Sequence, residues 1–360
     1  MDNPESFLGA NSRSSPRKQH NSFSRRSFLR GIGAAALAGT LSACGGSASS
    51  GQRDSYRLIA AHATSESHFM HRAFMHFKEQ AELLSEGRIQ VKVISNGIFG
   101  GDRALTESVA LDSIQLAAPS TAPLSSFSPN MGVWDIAYLF KDKPTAYRVF
   151  DGPLGQRLLD ELSVKRIKGL GYWESGFRNL TSNKASVQSV TDLRGVKIRT
   201  LETPAQLRAW GGTGAAPTPM AFPEVYTGLQ QGTIDAQENP ITLIYSQRFY
   251  EVQKTLTLSE HIYSVNPLIL SQKFYDSLPS DLQEVVEIAG KSSVDFSRKE
   301  SAKDELEALE QMKTEGLHVE ELSPEGRSEL REAMQKATIP YVRSTLGDEI
   351  VDSVMKEVQG

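Results

Sequence analysis

Two arginines on predicted strands, Arg178 in "GFRNLT" (176–181) and Arg199 in "VKIRT" (196–200), are the side chains of this 360-residue chain best suited to holding an anion. A planar guanidinium donates two parallel hydrogen bonds to one carboxylate, a geometry that lysine does not reproduce. Each charged bond contributes about 1.5–3 kcal/mol, whereas micromolar affinity requires about 8 kcal/mol, so a clamp would also need water exclusion and further polar contacts. The pattern has an ordinary reading too. Val196 and Ile198 alternate with Lys197 and Arg199, as in a half-buried strand with a wet basic face, and strand arginines are more often surface or ion-pair residues.

Other chemistries find less support. No G-x-S-x-G, H-E-x-x-H or phosphate-loop pattern is present, and Cys44 is the single cysteine. His68 and His71 stand three apart with His76 beyond them, a spacing open to zinc. No acidic residue joins them in a metal motif, and Phe69, Phe74 and Phe77 are interleaved, which favours ordinary helix packing. Asp102, Glu202 or Glu238 could act as acid and base in a secreted enzyme on an acidic sugar, but nothing around them assigns those roles.

The N-terminus carries the most specific local signal. "SRRSFLR" (24–30) heads a short Ala- and Gly-rich apolar run, 31–41, and resembles a twin-arginine export signal. The run ends in "LSAC", similar to a lipobox, with Cys44 as the acylated first residue of the mature chain. The expectation is a signal over 1–43 and a flexible tether over 44–54 containing "GGSASSG". "GIGAAA" (31–36) lies inside the signal with no strand before it, so it is not a nucleotide site. Residues 1–43 hold six basic and two acidic side chains, and their removal takes the net charge from −4 to −8. An acidic chain without basic clusters argues against nucleic acid.

The elements that must position the arginines follow from periodicity. Strands are predicted over 56–62, 88–95, 113–118, 167–173, 176–182, 196–200 and 262–270. Helices are predicted over 67–85, 102–111, 144–162, 204–210, 221–232 and 279–315, and from Pro324 with Ser323 as N-cap. This alternation implies an α/β fold with a largely parallel sheet. The charge run 297–313 reads as a solvated helix face.

Longer motifs point to a family. "APTPMAFPEVYTGLQQGTIDAQENP" (216–240), with "GFRNLT" and "VKIRT" before it, resembles the solute-binding proteins of tripartite ATP-independent periplasmic (TRAP) transporters. "NGIFGGDRALTESV" (96–109) and "YEVQKTLTLSEHIYS" (250–264) fit the same family, so the likeness covers essentially the whole mature chain. It implies a two-lobed α/β periplasmic solute-binding fold with a ligand cleft between the lobes and a long lobe-spanning helix. Lobe I would take 55–175 and about 265–304, and lobe II 176–264 and about 305–360.

The resemblance also implies a site. Arg199 takes the carboxylate and Arg178 is the second arginine. Asn239 of "QENP", Phe222 as the aromatic wall, His62 and Asp102 complete the set, with Glu238 and His261 standing behind Arg199. Glu202 is added as a partner for ligand hydroxyls, and Trp173 is open between structural and ligand-contact roles. Where the family commonly has Gly, this chain has Ala236, which would be strained if the turn requires positive φ.

The function implied is capture of an organic acid, sugar acids such as uronates or aldonates first, with dicarboxylates and 2-oxo acids open. Delivery is to the transporter's membrane subunits, without a cofactor or covalent chemistry, from the periplasm under a lipid anchor. A sensory protein presenting its closed form to a receptor is the other binding-protein reading.

Overall fold

The computed structural model describes residues 54–184 and 186–359. The export signal, Cys44 and all but the last residue of the expected tether lie outside the described residues. The strands are β1 (Tyr56–Ala61), β2 (Ile89–Ile94), β3 (Leu116–Ala117), β4 (Ile167–Ser182), β5 (Lys197–Thr200), β6 (Ala216–Pro219), β7 (Ala236–Pro240), β8 (Thr255–Ser271) and β9 (His318–Glu321). They form one sheet in the order β2-β1-β3-β8-β4-β7-β5-β6, with β9 also on β8.

The sheet is mixed, which corrects the expectation of a largely parallel one. β1 pairs in parallel with β2 and β3, and β5 with β6 and β7, but the centre is antiparallel: β4 runs against both β8 and β7. Hydrophobic alternation fixes a strand's faces and says nothing of its direction. The two predicted strands 167–173 and 176–182 are one strand of 16 residues. Its ladder with β8 is broken at Gly169/Gly171, Glu174/Gly176 and Arg178/Leu180. Gly171 at φ 146° and Gly176 at φ 113° adopt backbone that other residues avoid, which is why the sequence read as interrupted.

A 35-residue helix, Ser280–Thr314, crosses this ribbon and is about 50 Å long at 1.5 Å per residue. Gly290, Ser293, Ser297 and Ser301 recur at helical spacing on its buried face. Small residues let it lie directly on β4: a Cβ on Gly171 would sit 2.7 Å from Val294. Trp173 Nε1 donates to Ser293 Oγ at 2.9 Å, and Ser297 Oγ accepts from the Glu174 amide at 3.2 Å. The charge run lies mostly on the opposite, solvated side. The predicted helix 144–162 is two helices, Lys143–Asp151 and Pro153–Asp160, because Pro153 has no N–H to continue the first. Ser323 caps the helix Pro324–Leu346 as expected, accepting from the Gly326 amide. Among the described residues no helix is long and apolar enough to cross a membrane.

Candidate functional site

Arg199 sits in β5, paired with Thr218 of β6, and is 1% exposed. Its Nε and Nη2 donate to the Met220 carbonyl at 3.0 and 2.7 Å, while Nη1 is buried without a hydrogen-bond partner among the described residues. Burial and the neighbouring Arg178 charge lower its pKa to about 10, so it stays charged at neutral pH. A buried cation with an unspent donor edge is costly and is the group that a carboxylate would satisfy. Its Cζ lies 6.0 Å from the centroid of the Phe222 ring.

Arg178 is the opposite case. Pairing of β4 with β7 sets Arg178 across from Pro240 and Leu180 across from Glu238, which brings the "QENP" side chains to the guanidinium. Nε donates to Glu238 Oε2 at 2.5 Å, and Nη2 donates to Glu238 Oε1 at 2.8 Å and to Asn239 Oδ1 at 3.1 Å. His261 Nε2 lies 3.0 Å from Glu238 Oε2, and its Nδ1 lies 2.9 Å from Ser259 Oγ. Burial would push the Glu238 carboxyl up, but Arg178 and His261 hold it down at about 2. The expectation that Glu238 and His261 stand behind Arg199 is therefore redirected: Glu238 pairs with Arg178 and His261 holds that carboxylate, while Arg199 feels Glu238 only through its charge.

A cavity of about 30 Å³, room for about two waters by that measure, is lined by Phe222, which Arg199 faces, and by Asn239, which Arg178 holds. Asp102, Phe222 and Asn239 line it, together with Thr64, Ser120, Ser175, Leu201, Leu243 and Asn266 among others. Asp102, in the first turn of the helix Asp102–Ala110, accepts from the Ser120 amide at 3.0 Å and from Ser120 Oγ at 2.7 Å. At the rim, loop 96–101 rests on the turn Phe222–Glu224. A Cβ on Gly97 would come within 3.0 Å of Pro223 Cγ, and one on Gly101 within 3.4 Å of the Phe222 amide.

Five expected ligand residues are not among those lining this cavity: the two arginines, which meet it through Phe222 and Asn239, and His62, Trp173 and Glu202. His62 is buried against Phe74, and both ring nitrogens are occupied, by Thr64 Oγ1 at 2.9 Å and His71 Nδ1 at 3.0 Å. Trp173 lies edge-on to Phe74 with its indole on Ser293, a packing position. Glu202 is exposed. His68 caps its helix and meets Thr242 at 3.2 Å, and His76 meets Ser292 at 2.8 Å. Among the described residues no group of three or more His, Cys, Asp or Glu is placed to hold a metal ion. Ala236 has no positive φ, so the departure from Gly carries no strain.

Three further residues escaped the sequence reading. Ser175 faces the cavity from the irregularity between Glu174 and Gly176, which no pattern announces. Asn266 was visible as an amide in the apolar run "IYSVNPLIL", where a buried polar group calls for a reason. Asp135 is buried at long range from Gln206 Nε2 (3.4 Å) and Thr203 Oγ1 (3.5 Å), and burial raises its pKa to about 7.

The model of the bacterial extracellular solute-binding proteins, family 7, matches residues 60–343. The chain belongs to this family. The 2,3-diketo-L-gulonate-binding periplasmic protein of Escherichia coli (strain K12) is 34% identical over 256 residues, 71% of this chain and 78% of that one. Among solved structures, the sugar acid binding protein of Advenella mimigardefordensis strain DPN7T in complex with galactonate superposes with a TM-score of 0.83. It is 35% identical, covering 85% of this chain and 98% of that chain. A TRAP periplasmic solute-binding protein of Sulfurospirillum deleyianum with bound succinate gives 0.79 at 32% identity, covering 84% and 98%. This family 7 protein thus has the two-lobed TRAP solute-binding fold, with a cleft between lobes and the long helix Ser280–Thr314.

Proposed function

We propose that this protein captures a sugar acid through Arg199 and delivers it unaltered to the membrane subunits of a TRAP transporter. One observation carries the reading: Arg199 is a fully buried guanidinium whose Nη1 has no partner among the described residues, and Phe222, which it faces, lines a cavity together with Asp102 and Asn239. Arg178 is neutralised by Glu238 and acts by orienting Asn239. Sugar acids are favoured over short dicarboxylates because the cavity wall carries one further carboxylate, Asp102, and several hydroxyl or amide groups, which suit hydroxyls better than a second negative charge. The Escherichia coli and Advenella relatives, by their names, bind sugar acids too.

The cavity is smaller than such a ligand, so entry requires the walls to separate. We assign one wall to a lobe of residues 55–175 and about 265–304, the other to 176–264 and about 305–360. Turnover is not part of this function. Glu238 is committed to Arg178 and Glu202 is exposed, which leaves Asp102 without a second carboxylate at the cavity to serve as acid or base. The protein would work in the periplasm, exported by the twin-arginine signal and held at a membrane by acylated Cys44.

A thermal-shift screen of the purified protein against uronates, aldonates, dicarboxylates and 2-oxo acids tests the binding claim. The expected result is stabilisation by one or more sugar acids, and no stabilisation by any organic acid would refute it. Cys44→Ala should move the protein from the membrane to the soluble fraction, and its retention would refute the anchor.

A further inference from the structure

Asn266 carries a second piece of recognition. It lies on β8 opposite Trp173, is 4% exposed and lines the cavity. Its Nδ2 donates to the Ala118 carbonyl at 2.9 Å, while Oδ1 is buried without any donor among the described residues. That bond fixes the amide's orientation, because a flip would set two oxygens against each other. The group left over is therefore a pure acceptor.

Asp102 adds a second acceptor, anchored to the same stretch of chain as Asn266. It is held by Ser120, two residues beyond the carbonyl that holds Asn266. Asn239 offers no substitute, since its Oδ1 accepts from Arg178 and its Nδ2 donates to Gln237 Oε1 at 2.6 Å. An ionised carboxylate has only acceptor atoms, so the acidic end of a ligand is repelled here, whereas a hydroxyl donates.

We infer that Asn266 is a specificity-determining residue which accepts a hydrogen bond from a ligand hydroxyl and so selects hydroxy acids over their deoxy counterparts. The inference rests on the organic-acid reading above. A buried acceptor left unmatched by a deoxy ligand corresponds to a tenfold to hundredfold loss of affinity, on the order expected for an unsatisfied polar group.

The test is isothermal titration of the purified protein and of Asn266→Leu with galactonate, malate and succinate. Malate and succinate differ by one hydroxyl. In the variant, galactonate and malate should weaken by about tenfold or more, while succinate stays within about threefold. Unchanged galactonate affinity overturns the inference, as does equal weakening of all three acids, which would mark a structural role. If Asn266→Leu does not fold, the wild type decides. Erythronate must then bind more tightly than butyrate and malate more tightly than succinate, and equal affinities within both pairs overturn the inference. Wild-type protein that binds none of these or any other organic acid refutes the parent reading, whereas binding without hydroxyl discrimination refutes Asn266 alone.

Discussion

Truncating Arg199 to alanine should cost far more binding than folding. With Nε and Nη2 turned to Met220, the edge formed by Nη1 and the second N–H of Nη2 remains for a carboxylate. Two charged bonds at about 1.5–3 kcal/mol each make the loss about 3–6 kcal/mol, or roughly 10²- to 10⁴-fold in Kd. In folding, two effects oppose each other. The guanidinium's pKa is about 10 in the folded protein, well below its ordinary value. At any pH below about 10 the buried charge therefore destabilises the fold, by about 3 kcal/mol, and truncation relieves this. Truncation also forfeits the bonds to Met220 and the packing of the side chain, a loss of similar size. The unliganded unfolding midpoint should thus move by only a few degrees. Titration calorimetry with the best acid and scanning calorimetry without it measure the two effects separately. Affinity within about threefold of wild type would refute the clamp, and an unliganded midpoint lowered by about 10 °C or more would make Arg199 structural. Arg199→Lys keeps the charge but not the paired donors, and should recover only a small part of the binding.

The neighbouring arginine should behave in reverse. Arg178→Ala leaves the buried Glu238 carboxylate with His261 in place of its cationic partner, at a cost of about 3–5 kcal/mol of stability by denaturant unfolding; a loss under about 1 kcal/mol would contradict the ion pair. Asp135 gives a pH signature. Its folded pKa of about 7 lies above the ordinary 3.8, so the folded state holds the proton more tightly and stability falls as pH rises between about 4 and 7. From pH 5 to pH 8 this group should remove about 2–3 kcal/mol, and Asp135→Asn should flatten that slope; an identical slope in the variant would sink the assignment.

Much of the fold was legible because periodicity and punctuation are local properties. The Ser323 cap, the helix Ser280–Thr314 and the strands β1, β2 and β5 could be placed that way, whereas β6, β7 and β9 carried no such pattern. The β4 and β8 ribbon could not, because its continuity depends on pairing between residues about ninety apart in sequence, and its glycine breaks look like loops. The site divided along the same line. Asp102, Phe222 and Asn239 were reachable through motifs, and all three line the cavity. The choice of partner for Glu238 was not, since two arginines stood within reach of one carboxylate and only the register of β7 on β4 decides between them. Ser175 depends on a bulge, and the orphaned Oδ1 of Asn266 depends on where the Ala118 carbonyl falls.

The rim where loop 96–101 rests on Phe222–Glu224 bears on timing. Gly97 and Gly101 meet Pro223 and the Phe222 backbone, so the seam is made of backbone and ring atoms in dispersion contact, each pair contributing only about 0.1–0.2 kcal/mol. Such a seam resists opening weakly, and under the proposed clamp the dwell time of a captive molecule would be set by how often it parts as well as by the hold of Arg199. At Gly101, φ is −84° and any residue is tolerated, and an added methyl would meet the Phe222 amide and Pro223 at ordinary contact distance, so it would add dispersion to the seam and slow escape with little change in the grip itself. For a carrier, whose cargo must leave as reliably as it arrives, two missing side chains at the rim work as a clock.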